Sequence, residues 1–79
     1  MDIEVGKIYK HFKGNLYLVL GIAKNSENEE DYVIYKALYE DNLVWIRPLA
    51  NFLEEVNKNN QKYRFEKVTI ESKAIWKSL

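Results

Sequence analysis

The side chains best suited to chemistry in this chain lie in a few short stretches. Tyr9, His11 and Lys13 fall within Gly6-Lys-Ile-Tyr-Lys-His-Phe-Lys-Gly14, Tyr35 lies in a later segment, and Trp45 and Arg47 belong to Trp45-Ile-Arg-Pro48. Aromatic faces stack on planar groups, and a guanidinium forks onto a phosphate or carboxylate. Lysines neutralise anionic charge, and histidine donates hydrogen bonds and titrates near neutral pH. The combination predicts a binding site for a planar, anionic ligand, made by Tyr9, His11, Lys13, Tyr35, Trp45 and Arg47.

Each residue also has a plainer reading. His11 suits a partly buried strand position, because histidine is intermediate in burial preference. Trp45 suits a core, and Arg47 a surface pair with Glu27 or Glu54. Tyr9, Tyr17, Tyr35 and Tyr39 suit core or rim positions, and Lys13 and Lys36 suit solvent.

Catalytic and metal chemistry find little support. No nucleophile or orienting carboxylate accompanies His11 at a recognisable spacing, so a small hydrolase is a minor reading and a non-enzyme is expected. The chain has no cysteine and one histidine, which removes disulfides, thiolate nucleophiles and the usual transition-metal ligand sets. The acidic loop 27–31 lacks the glycine that a calcium loop needs for its sharp turn. Gly6, Gly14 and Gly21 are too far apart to cradle a phosphate. No metal or cofactor is expected.

Composition narrows the class further. A length of 79 residues implies one domain, and 47% hydrophobic residues are enough for a compact core. Twelve basic residues balance twelve acidic ones. Zero net charge disfavours a non-specific nucleic-acid binder, which needs a basic surplus, and leaves little repulsion against self-association. The first residues carry no signal-peptide pattern, and no apolar run has a bilayer-spanning length. A cytoplasmic protein without a membrane partner is expected.

The elements that must position the site read as mainly β. Segment 7–12 alternates as a strand, with Tyr9 and His11 on one face. Lys13-Gly14-Asn15 turns the chain into a second strand, 16–22. The polar stretch 24–31 is a loop, 32–39 a third strand, and 43–47 a fourth that Pro48 stops. Leu49, Phe52, Leu53 and Val56 recur at helical spacing and predict one short amphipathic helix, ended by Asn57-Lys-Asn-Asn60. Segment 63–68 is a fifth strand. The expected architecture is a small SH3-like five-stranded barrel over residues 1–68, with the helix before its last strand. Residues 69–79 are expected to be a C-terminal extension, docked on the body or at a subunit interface through Trp76.

Several of these residues also carry a resemblance. Gly6, Tyr9, His11-Phe-Lys-Gly14, Tyr17, Val19-Leu20, Ala23, Ser26-Glu27, Val33, Tyr35, Leu38-Tyr39, Trp45-Ile-Arg-Pro48, Phe52 and Glu54 together resemble an uncharacterised family of small bacterial and phage proteins. The likeness runs over about residues 6–66. Asn25 stands where the family has histidine, and Asn51 where it has methionine. The resemblance implies a small β-rich fold and no established activity.

The expected function is therefore a non-enzymatic module that binds a small anionic, nucleotide-like ligand. A protein that sequesters a signalling nucleotide is one concrete form. The alternative is an SH3-like module that binds protein or nucleic acid on a barrel face.

Overall fold

A computed structural model describes residues 2–69. Alternating apolar residues set the strands. β1 (Ile8–His11) pairs antiparallel with β2 (Leu16–Lys24), which pairs with β3 (Asp31–Ala37). β3 in turn pairs with β4 (Val44–Pro48). A single helical turn, α1 (Leu49–Phe52), leads into a hairpin of β5 (Glu55–Lys58) and β6 (Gln61–Tyr63). β7 (Phe65–Lys67) then returns to pair with β1. The sheet order is β4-β3-β2-β1-β7, with the hairpin β5-β6 as a separate ladder.

The chain thus has seven short strands among its described residues instead of the expected five. The difference lies in the Asn-rich stretch. Asn59 and Asn60 both have positive φ, at 53° and 63°. Two such residues between paired Lys58 and Gln61 make the tight hairpin turn whose twist matches its strands. Asparagine tolerates that conformation. The expected helix therefore stops after one turn, and Val56 belongs to β5. Among the described residues no ladder joins β4 to β7, so the sheet is open in pairing.

One face of the sheet forms the core. Val19, Val33, Tyr35, Tyr9, Phe52 and Phe65 are buried together, with Ile3, Tyr17, Leu49 and Leu53 packed against them. Phe52 and Phe65 stack in parallel with centroids 4.0 Å apart. Fully burying each such ring contributes about 2–3 kcal/mol of transfer free energy.

Gln61 ties the hairpin to the sheet. Its buried side-chain amide donates to the carbonyls of Lys10, Tyr63 and Arg64 at 2.8, 3.0 and 3.3 Å. The β1–β2 turn is closed by Gly14, whose N–H donates to the His11 carbonyl at 2.7 Å. Gly14 has a φ of +108°, which glycine adopts without a Cβ clash. The expected extension, 69–79 with Trp76, lies outside the described residues except for Thr69.

Candidate functional site

β4 directs Trp45 and Arg47 to the inner side of the sheet, because Trp45 pairs with buried Tyr35 and Arg47 with buried Val33. Arg47 is half-buried there. Its Nε donates to the Tyr35 hydroxyl at 3.1 Å and one terminal nitrogen donates to the Asn51 side-chain oxygen at 2.5 Å. Asn51 passes its own amide to Glu54 at 3.3 Å. The guanidinium carbon lies 5.5 Å from the Phe65 ring centre, within cation–π range.

The charge of Arg47 is held by neutral partners. The expected pair with Glu27 or Glu54 does not form, and Glu54 instead pairs with Arg64 at 3.4 Å. Among the described residues no carboxylate lies within ion-pair distance of Arg47. The two hydrogen bonds and the Phe65 face offset part of the hydration that a half-buried guanidinium loses. A bound anion would supply further compensation.

His11 packs edge-on against Phe65, with ring centres 4.9 Å apart. It also packs 4.5 Å from Phe12 and 6.5 Å from Tyr17. The Lys13 backbone N–H donates to Nδ1 at 3.1 Å, which leaves the ring proton of the neutral imidazole on Nε2. Burial holds its pKa below the ordinary 6.5, and the cations Arg47, Arg64 and Lys13 push the same way. The imidazole is thus a neutral hydrogen-bond donor near neutral pH. Lys13 acts on His11 through its backbone as well as its charge, and its exposed ammonium lies 6.0 Å from the Phe12 ring centre.

Tyr17 links these rings. Its ring packs against Tyr35, Tyr39 and Phe65 at 5.3, 5.6 and 5.5 Å. Its hydroxyl shares a 2.7 Å hydrogen bond with that of Tyr39. Burial and this bond push the phenol up to about 12. Trp45 is 47% exposed and lines a depression of about 70 Å³ with Ala37, Tyr39, Glu40, Asp41 and Leu43.

This cluster of rings, imidazole and guanidinium on one face has a family context. The profile of a protein family of unknown function, DUF1653, matches residues 7–67. The chain belongs to the DUF1653 family. A crystal structure of a DUF1653 protein from Bordetella bronchiseptica is similar to it, with a TM-score of 0.71 and 34% identity over 89% of this chain and 96% of that one. No curated protein matches the chain. Membership fixes the fold and leaves the chemistry to the residues.

Of the six site residues read from the DUF1653 sequence, His11, Tyr35 and Arg47 converge around Phe65. Tyr9 and Tyr35 are 5% and 4% exposed, so their rings are core surfaces and are not open for stacking. The Tyr9 hydroxyl accepts from the Glu4 N–H at 3.0 Å, and the Tyr35 hydroxyl orients Arg47. Sequence reasoning left Phe65 and Asn51 out of the site and weighed Tyr17 and Tyr39 only as core or rim rings. The alternation of Tyr17 with buried Val19 could have placed Tyr17. Asn51 lies four residues from Arg47 and meets it locally through the start of α1, whereas Phe65 reaches Arg47 only through the fold.

Larger depressions lie elsewhere. One, about 320 Å³, is bordered by Gly6–Ile8 backbone and Lys67, Val68 and Thr69, and another, about 430 Å³, by Glu29, Glu30, Asp31 and Pro48. The acidic loop closes on itself, with Asn25 and Asn28 side chains accepting from Glu27 and Glu30 N–H groups at 2.9 Å. Among the described residues no group of three metal-ligating side chains occurs, and no helix is long and apolar enough to cross a membrane.

Proposed function

We propose that this DUF1653 chain is a non-enzymatic module that binds a small anionic, nucleotide-like ligand. The observation that carries this reading is the half-buried Arg47 guanidinium, fixed by Tyr35 and Asn51 and lacking a carboxylate partner among the described residues. Its remaining N–H groups can donate to an anionic oxygen in charge-assisted hydrogen bonds. His11 adds a neutral donor, the Tyr17–Tyr39 hydroxyl pair adds polar partners, and exposed Trp45 offers a face for a base. A neutral imidazole with no neighbouring nucleophile suits binding better than turnover. The mainly β fold is read as SH3-like, and sequestration of a cytoplasmic nucleotide is the form of activity that needs nothing more.

Calorimetric titration with adenosine and guanosine 5′-monophosphates, with acetate as control, tests this. Wild type is expected to bind at least one nucleotide, and Arg47→Gln to bind it 10- to 100-fold more weakly, about 1.5–3 kcal/mol for charged hydrogen bonds. Equal affinities in the two proteins would overturn the reading. Weakening in step with rising salt, with no preference among bases, would move it to the alternative, nucleic-acid interaction.

A further inference from the structure

Four consecutive residues at the edge of the sheet, Leu43, Val44, Trp45 and Ile46, are 54%, 56%, 47% and 66% exposed. All are large and apolar. Natural edge strands are usually protected by charge, brevity or cover, because their free backbone groups template pairing. The direction of those groups follows from the ladder. The Ala37 N–H donates to the Leu43 carbonyl at 2.8 Å, so Leu43, Trp45 and Arg47 turn their backbone groups toward β3. Val44 and Ile46 turn theirs away from the sheet. Pro48, which has no N–H, falls on the same outward set, where a missing donor costs no sheet bond.

We propose that β4 is the interface of a two-fold dimer in which the β4 strands of two copies pair antiparallel, Val44 opposite Ile46 and Trp45 opposite Trp45. This register is self-complementary. The two donors and two acceptors of Val44 and Ile46 meet those of the second copy in two doubly bonded pairs. Val44 and Ile46 make cross-strand apolar pairs on the outer face, beside Lys36 and Ile34, their partners on β3. The two Trp45 rings meet on the inner face. Shifting the register by two residues places Pro48 opposite Val44, or Asn42 opposite Ile46, and loses bonds or apolar contact. Zero net charge removes bulk repulsion between copies. A second copy fits better than an unrelated chain because one strand supplies both halves of the match. The pairing also sets the second copy's Trp45 beside the depression that Trp45, Tyr39 and Leu43 line.

Light scattering on the eluting full chain, together with a single introduced cysteine, tests the dimer. Wild type is expected at twice the 9.4 kDa chain mass. Ile46→Pro, which removes one outward donor and no β3 bond, is expected at the chain mass with an unchanged circular dichroism spectrum, and Val44→Lys is expected to behave alike. The chain has no cysteine, so Trp45→Cys provides one thiol per copy. Opposed Cα atoms about 4.5 Å apart permit a disulfide, so oxidised glutathione is expected to cross-link Trp45→Cys and leave Leu20→Cys monomeric. A wild type at the chain mass across concentrations would overturn the proposal and leave the edge to another segment or partner. A dimer untouched by folded Ile46→Pro and Val44→Lys, or equal cross-linking at position 20, would overturn it too.

Discussion

Arg47 and Tyr35 are diagonal neighbours across the β3–β4 pair, and the Arg47 Nε donates to the Tyr35 hydroxyl at 3.1 Å. Tyr35 is 4% exposed and wedged among Tyr17, Phe52 and Phe65. The bond therefore anchors a charged fork to the buried core. Tyr35→Phe is expected to keep the fold, because the ring packing remains. It should weaken nucleotide binding severalfold by loosening Arg47, with about 1 kcal/mol or less lost in stability, as for a typical hydrogen bond. Calorimetry and urea denaturation on the same variant separate the two effects.

His11 gives a pH signature. Its folded pKa is held below the unfolded value near 6.5, first by burial and then by Arg47. A lowered base contributes stability that is fully present above pH 6.5 and lost as pH falls through the window down to the folded pKa, because the unfolded chain takes up the proton first. Denaturant midpoints between pH 7.5 and 5 should fall in wild type and flatten in His11→Asn. The imidazole resonance, followed by NMR, should titrate below 6.5 and shift upward in Arg47→Gln. An unchanged titration in that variant would show that the two groups are not electrostatically linked.

Tyr17 is predicted to resist ionisation. Its phenol is pushed up to about 12 by burial and then by the bond to Tyr39. A raised acid stabilises the fold below its unfolded pKa of 10, and that contribution disappears as pH rises through about 12. Tyr39→Phe should lower the Tyr17 transition, read by absorbance near 295 nm against a Tyr17→Phe reference. No difference between Tyr39→Phe and wild type would contradict the hydroxyl pair.

The Phe52–Phe65 stack is predicted to dominate stability. Phe52 is fully buried, and Phe52→Ala should cost about 3–5 kcal/mol, a large part of the 5–15 kcal/mol typical of a domain. Phe52→Leu should cost less, because most of the volume stays. Gln61→Leu should cost about 1–3 kcal/mol, since it leaves the Lys10, Tyr63 and Arg64 carbonyls without their shared donor. Thermal and urea unfolding measure both.

Much of this was legible in the residues, for reasons that differ by element. Strict alternation at Val33, Tyr35 and Ala37 placed β3, and the Lys13-Gly14-Asn15 turn placed the first hairpin. Leu49 and Phe52 placed the one short helix, but Leu53 and Val56 continue the helical period past its single turn. The turn chemistry of Asn59-Asn60 overrode that period, and reading those asparagines as a hairpin turn would have recovered β5 and β6. In the site, Arg47 and His11 were visible as chemical types. Their meeting at Phe65 was not, because β7 returns to β1 from more than fifty residues away in the chain. Tyr9 was assigned to the ligand on type alone, and burial shows that its ring belongs to the core.

The most direct test of an Arg47-centred anion site is native mass spectrometry of protein purified gently from its host, wild type beside Arg47→Gln. The expected result is a retained small-molecule mass on wild type, of phosphorylated composition on fragmentation, and a bare polypeptide for folded Arg47→Gln. A bare wild type that also binds neither nucleotide by calorimetry, or the same adduct on both proteins, would contradict the account.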